Sequence, residues 1–185
     1  KGAGRNAYRF FDAELQVTLT ARATLEKDLR QGIAKNEFRL HYQPQVGADG
    51  RVQGVEALLR WQHPTRGNVS PALFIPLAEQ CGFILELGQW VLTTACQKLA
   101  TWRNDPAHRG LSIAVNVSVK QFRSQRFVRD VLDTLATTGA DPSCLKLELT
   151  ESVLADDVDS LIDKMAVLRE RGVGFSLDDF GTGFS

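Results

Sequence analysis

The chain has 185 residues, 43% of them hydrophobic, and its 22 basic and 22 acidic side chains give a formal net charge of zero. This profile is typical of one globular domain that is long enough to bury a core. The balanced charge excludes a surface that coats DNA or RNA, because such a surface needs a large excess of Lys and Arg.

The sequence also limits where the chain is expected to work. No apolar run approaches the roughly 20 residues that cross a bilayer, so we expect a soluble, cytoplasmic segment. The sequence leaves open whether an upstream region anchors the full-length protein in the inner membrane. The three cysteines lack CxxC spacing and lie in apolar surroundings, which predicts reduced core thiols at Cys81, Cys96 and Cys144.

Strands and helices alternate along most of the chain. Residues 1–11 are rich in glycine and basic residues and indicate a junction, whereas apolar residues at helical spacing predict a helix over Leu15 to Ile33. The predicted strands that follow are FRLHYQPQV, VQGVEALLRW, LSIAVNVS, LKLELTE and VGFSLDD. Predicted helices lie between them at Pro71 to about Arg103, Phe127 to Thr137 and Val158 to Arg171. This order predicts βα units and a mostly parallel sheet.

The internal pattern of the strands favours a barrel. In LKLELTE the three leucines share one face, while Lys146, Glu148 and Thr150 share the other. A sheet covered by helices on both faces would have nearly continuous apolar strands. We therefore predict an α/β fold of the (β/α) barrel type, and its unusually polar interior indicates a functional site.

Oxygen-bearing side chains lie near the carboxyl ends of four predicted strands: Glu56, Asn116, Glu148 and Asp178, with Asp179 directly after. Barrel enzymes place their sites at that rim. Carboxylates gathered there repel one another unless a cation neutralises them, and oxygen donors favour Mg²⁺ or Mn²⁺ over Zn²⁺. Through Asp179 a second ion could bind, and two ions about 3.5 to 4 Å apart suit phosphodiester cleavage.

Each of these residues has an ordinary structural alternative. An acidic residue at a strand end is more often a helix N-cap or a solvated loop residue, and Asn116 could belong to a turn. Glu56 fits that alternative poorly, because it lies inside an apolar run where an unpaired carboxylate is costly. The joint pattern favours a site.

Several motifs occur in the order and spacing of the EAL domain family, which this sequence resembles over about residues 25 to 185. They are EALLRW at 56–61, NVS at 116–118, ELTES at 148–152 and DDFGTGFS at 178–185, supported by YQPQV at 42–46 and FIPLAE at 74–79. The resemblance implies a (β/α)₈ TIM-like barrel with an antiparallel first strand. It also implies a phosphodiesterase that cuts cyclic di-GMP to the linear dinucleotide pGpG.

The resemblance assigns roles by position. The positions of Glu56, Asn116, Glu148 and Asp178 match the ligands of a first metal ion, and that of Asp179 matches a ligand of a second. The position of Arg60 matches a contact to the substrate phosphate, and that of Gln43 matches a contact to the nucleotide. The position of Glu151 matches a family glutamate that holds the loop after DDFG in its active shape. For Arg60 a surface ion pair is the alternative.

The two ends of the sequence indicate how the domain is set in a longer protein. KGAGRNAYRFF resembles the closing segment of a GGDEF domain, so we expect residues 1–14 to be the tail of an upstream GGDEF domain and a linker, and 15–185 to be the EAL domain. A homodimer is expected from the resemblance. Only five strands are recognisable where a closed barrel needs eight, so we expect the natural chain to continue. A cyclic di-GMP receptor without catalysis remains the alternative function.

Overall fold

The computed structural model describes residues 13–150 and 158–178. They form one sheet with helices packed against one of its faces. The helices are α1 Ala13–Gly32, α2 Pro71–Cys81, α3 Ile84–Trp102, α4 Val119–Arg123, α5 Phe127–Thr138 and α6 Val158–Glu170. The strands are β1 Phe38–Val46, β2 Val52–His63, β3 Gly67–Val69, β4 Ser112–Val117, β5 Leu145–Thr150 and β6 Gly174–Asp178. A 3₁₀ turn at Pro142–Cys144 precedes β5.

The sheet is mostly parallel, as predicted. The strands run in the order β1-β2-β4-β5-β6, and the short β3 pairs with the end of β2 outside this path. The strands β2, β4, β5 and β6 run parallel to one another, with helices in the connections. By contrast β1 is antiparallel to β2, which confirms the antiparallel first strand that the family resemblance implied.

The alternation of apolar and polar residues sorts the two faces of the sheet. On β4 the side chains of Ile113, Val115 and Val117 are buried in the main core with residues of α3 and α5, whereas Asn116 is exposed on the other face. The leucines of β5 are all fully buried. Leu177 of β6 departs from the pattern, because its side chain is 44% exposed where β6 ends the described sheet.

A second core, rich in aromatic side chains, joins α1 to the β1–β2 pair. Phe38 and Trp61 stack with ring centroids 5.6 Å apart, and the ring of Phe74 from α2 packs edge-on against Trp61. Leu29 of α1 is fully buried in this cluster. The indole N–H of Trp61 donates to the buried carboxylate of Glu37 at 2.9 Å, so the polar tip of the largest core residue is satisfied.

Three short elements were not predicted: β3, α4 and the 3₁₀ turn before β5. All three cysteines are free thiols, and burial raises the pKa of Cys96 to about 12, which suits an inert core thiol. Among the residues that the structure describes, no helix has the length and apolar character needed to span a bilayer.

Two strand glycines give a test of the parallel register. At Gly54 of β2 an added Cβ would lie 2.7 Å from the Ser112 carbonyl oxygen of β4, whereas at Gly174 of β6 it would lie 3.6 Å from the Leu145 carbonyl oxygen. We expect Gly54→Ala to lower the free energy of unfolding by about 2 kcal/mol through overpacking. Gly174→Ala should change it by less than about 0.5 kcal/mol. Urea denaturation compares the two variants, and equal effects would contradict the β2–β4 register.

Candidate active site

Register and alternation bring the side chains of Glu56, Asn116 and Glu148 to one face of the sheet. Asn116 of β4 is paired with Glu148 of β5, and Glu56 of β2 is paired with Ala114, two residues before Asn116. The amide nitrogen Nδ2 of Asn116 donates to Oε1 of Glu56 at 2.7 Å. These three predicted ligands therefore lie on neighbouring strands. Asn116 and Glu148 are near the carboxyl ends of β4 and β5 as predicted, whereas Glu56 lies in the first half of β2, which continues to His63.

Glu148 is the most enclosed of these residues, with 7% of its surface exposed. Its Oε1 accepts hydrogen bonds from Ser176 Oγ at 3.1 Å and from Gln45 Nε2 at 3.4 Å. Lys146 Nζ lies 3.9 Å from the same oxygen. Within the described part of the chain, the hydrogen bonds and the ion pair of this carboxylate all involve Oε1.

Gln45 and Ser176 were missed by the sequence reasoning. Both could have been found from the period of two, since Gln45 follows Gln43 by two residues in β1 and Ser176 precedes Asp178 by two in β6. The register pairs Ser176 directly with Glu148. Gln45 is harder to infer, because its contact crosses the face from β1 to β5 and depends on how the sheet curves.

The predicted substrate-binding residues lie on the β1–β2 pair. Gln43 is exposed and is the register partner of Glu56, so it lies beside the carboxylate. Arg60 is half-buried four residues after Glu56, near the end of β2, and its Nη1 donates to the Leu59 carbonyl oxygen at 2.9 Å. The role of Arg60 as a contact to the substrate phosphate stays a prediction.

A cavity of about 320 Å³ opens beside these residues. Arg60, Asn116 and Ser118 supply polar groups to its wall, and side chains such as Leu58 and Ile75 supply apolar surface. Small-molecule sites combine these two features, with apolar walls that bury the ligand and a few polar groups that orient it.

The remaining predicted residues are less fully placed. Asp178 is the last residue of β6, in register with Thr150 of β5. Asp179 and Glu151 lie outside the described residues. Within residues 13–150 and 158–178, no three His, Cys, Asp or Glu side chains form a group able to hold a metal ion. The metal site, which draws on Asn116 and both aspartates, therefore stays a prediction.

Parallel strands with helices on the outer face and acidic groups at the strand ends define an α/β barrel of the kind that enzymes use. The family model for the EAL domain matches residues 26–185. The chain belongs to the EAL domain family.

Curated relatives include two proteins of Pseudomonas aeruginosa. One is the bifunctional diguanylate cyclase/cyclic di-GMP phosphodiesterase MucR, with 43% identity over 100% of this chain and 27% of the relative. The other is the cyclic di-GMP phosphodiesterase NbdA, with 41% identity over 100% of this chain and 24% of the relative. The chain thus spans about a quarter of the length of these proteins.

A solved structure of the MucR phosphodiesterase in complex with c-di-GMP matches with a TM-score of 0.82 and 45% identity. The match covers 88% of this chain and 66% of that one. This likeness confirms the predicted TIM-like barrel, of which the described strands form a part.

The enclosed carboxylate of Glu148 allows a test of whether it serves the fold or a site. Glu148→Gln removes a buried charge that lies on the same face of the sheet as the like charge of Glu56. Without a metal ion, in EDTA, the substitution should therefore leave the free energy of unfolding unchanged or raise it by up to about 1 kcal/mol. The exposed Glu170→Gln is the control. Denaturant unfolding measures both, and a clear loss for Glu148→Gln alone would make Glu148 a structural residue.

Proposed function

We propose that this chain is a metal-dependent phosphodiesterase domain that hydrolyses cyclic di-GMP to linear pGpG. The observation that carries the proposal is the row of Glu56, Asn116 and Glu148 across three parallel strands of an EAL domain. The relatives MucR and NbdA, both named as cyclic di-GMP phosphodiesterases, support the same substrate.

The donor set fits Mg²⁺ or Mn²⁺. Glu56, Asn116 and Glu148 offer carboxylate and amide oxygens, the ligands that hard divalent cations prefer. The side-chain N–H of Asn116 points to Glu56, so the side-chain carbonyl oxygen of Asn116 remains available as a metal ligand. We propose that Asp178 joins this set and that Asp179 serves a second ion. When bound, such ions supply a nucleophilic water at neutral pH and neutralise charge on the phosphate.

The protein's own residues orient the substrate. Arg60 presents a guanidinium, whose fork of donors matches phosphate oxygens. It lies in the wall of the cavity of about 320 Å³ that also contains Asn116, so a phosphate held by Arg60 would sit near the proposed ligands. Gln43 is the register partner of Glu56 on the neighbouring strand, which supports the proposal that it contacts the nucleotide. The apolar part of the cavity suits the face of a base.

The setting of the domain is also proposed. We infer that residues 1–14 end an upstream GGDEF domain and its linker, that residues 15–185 belong to the EAL domain, and that the full-length protein is a homodimer. The name of MucR, which covers both a diguanylate cyclase and a phosphodiesterase, supports such a pairing of domains. In this proposal Glu151 shapes the loop after Asp179.

Hydrolysis of cyclic di-GMP by the full-length protein tests the proposal directly. With Mg²⁺ or Mn²⁺ we expect pGpG as the product, detected by liquid chromatography, and inhibition by EDTA. Glu56→Ala and Glu148→Gln should each lower kcat about 100-fold or more, because each removes a charged donor from the site. Glu170→Gln should have no effect. Tight binding of cyclic di-GMP in Ca²⁺ without product in Mg²⁺ or Mn²⁺ would instead make the protein a receptor.

A second prediction concerns the phosphate contact. Arg60→Lys keeps the positive charge but loses the two-pronged donor geometry, so we expect KM for cyclic di-GMP to rise about tenfold while kcat changes less. Arg51→Lys, an exposed arginine of the β1–β2 turn, is the matched control. Steady-state kinetics measure both variants. An unchanged KM in Arg60→Lys would remove Arg60 from the phosphate site.

A further inference from the structure

The chain that follows Asn116 turns at once into the short helix α4, whose first turn is closed by a capping box. Ser118 Oγ accepts from the Gln121 backbone N–H at 3.2 Å, and Gln121 Oε1 accepts from the Ser118 backbone N–H at 3.1 Å and from its hydroxyl at 2.9 Å. Such reciprocal bonds fix the angle at which a strand enters a helix. Here the strand is β4, and its end carries Asn116.

The carboxamide of Gln121 also lies directly on the backbone of α3. A Cβ added at Gly88 would overlap the side-chain nitrogen and Cδ of Gln121, so an alanine there would force the carboxamide to move. Glycine inside a helix lowers its stability relative to alanine, and a packing requirement explains its presence there. Gly88 is therefore the seat of Gln121.

Gln121 and Gly88 separate two spaces. Both residues line the cavity of about 320 Å³ that contains Arg60 and Asn116, and both also line a groove of about 630 Å³ on the α3 and α5 side. The side chain of Gln121 forms part of the wall between them.

Other contacts hold α4 in the same place. Lys120 Nζ donates to the Glu79 carbonyl oxygen at the end of α2, and Lys164 Nζ of α6 donates to the Phe122 carbonyl oxygen at 2.8 Å. The Phe122 ring is buried in the main core. A helix of five residues has little stability by itself, so these contacts decide its position.

We propose that Gln121, seated on Gly88, is a positioning residue for the site. It holds the end of β4 so that the amide of Asn116 stays directed at Glu56, and it closes the substrate cavity on the α3 side. This inference rests on the proposed function, because it takes Asn116 as a ligand of that site.

Two variants of Gln121 test whether the hydrogen bond that its side chain accepts matters for catalysis. In the full-length protein with Mn²⁺, Gln121→Ala should lower kcat for cyclic di-GMP about tenfold, with KM changed less than about twofold. Gln121→Glu keeps an acceptor for the Ser118 N–H and should restore kcat to within about threefold of the parent. Gln97→Ala, which truncates an exposed glutamine of α3, is the control.

A double-mutant cycle tests the contact with Gly88. Gly88→Ala should lower kcat as Gln121→Ala does, because the new methyl group displaces the carboxamide. In the Gln121→Ala background the same methyl group has room, so Gly88→Ala should cost little more there. If the losses in kcat of the two single variants add up in the double variant, the proposed contact between Gln121 and Gly88 is wrong.

The readouts also separate this inference from the proposed function. If Gln121→Ala lowers only the melting temperature and leaves kcat per folded molecule unchanged, Gln121 is structural and the inference fails. If the parent shows no hydrolysis, the proposed function fails, and the side-chain amide NMR signals of Asn116 decide the positioning role. Those signals should shift in Gln121→Ala and stay in place in Gln121→Glu, and unchanged signals in Gln121→Ala would refute it.

Discussion

In-register parallel pairing of β2, β4 and β5 is the constraint on which both the core and the site depend. Side chains alternate with a period of two, so the pairing that buries Val115 and Leu147 against the helices turns Asn116 and Glu148 to the opposite face. A slip of one residue would exchange the two sets and expose the core. Burial of the apolar face of the sheet therefore also fixes the positions of Glu56, Asn116 and Glu148 on the opposite, acidic face.

The acidic face is held together by modest interactions. Glu56 receives an amide N–H from Asn116, and Glu148 receives a hydroxyl and an amide, with a lysine nitrogen 3.9 Å away. A fold selected for stability alone would place apolar residues at a site as enclosed as Glu148, because burying a carboxylate is costly. In the proposed function, a cation bound on this face would offset the cost of keeping two carboxylates there.

Much of this arrangement could be predicted from the sequence, since it depends on long and strongly periodic segments. The five long strands and the helices between them were predicted within a few residues of their bounds. Periodicity could not tell that β1 is antiparallel, because strands of either direction alternate alike, and only the family resemblance supplied it. The resemblance likewise supplied the roles of Arg60 and Gln43, whose residue types alone suit many surfaces.

What could not be predicted depends on contacts between distant segments. The three residues of β3 form a strand only because β2 extends far enough to pair with them. The contact from Gln45 to Glu148 requires the curvature that brings β1 toward β5. The glycine at position 88 gives no sign in the sequence that a glutamine more than 30 residues later lies on it.

The position of Asn116 consequently depends on more than its own strand. The helix that follows it, α4, contacts the end of α2 through Lys120, the backbone of α3 through Gln121 and α6 through Lys164. The end of α2 is in turn contacted by Arg30 of α1, whose Nη2 donates to the Cys81 carbonyl oxygen at 3.0 Å. An amide that orients a carboxylate is thus held by the packing of four other helices, since each of these contacts limits where the end of β4 can lie.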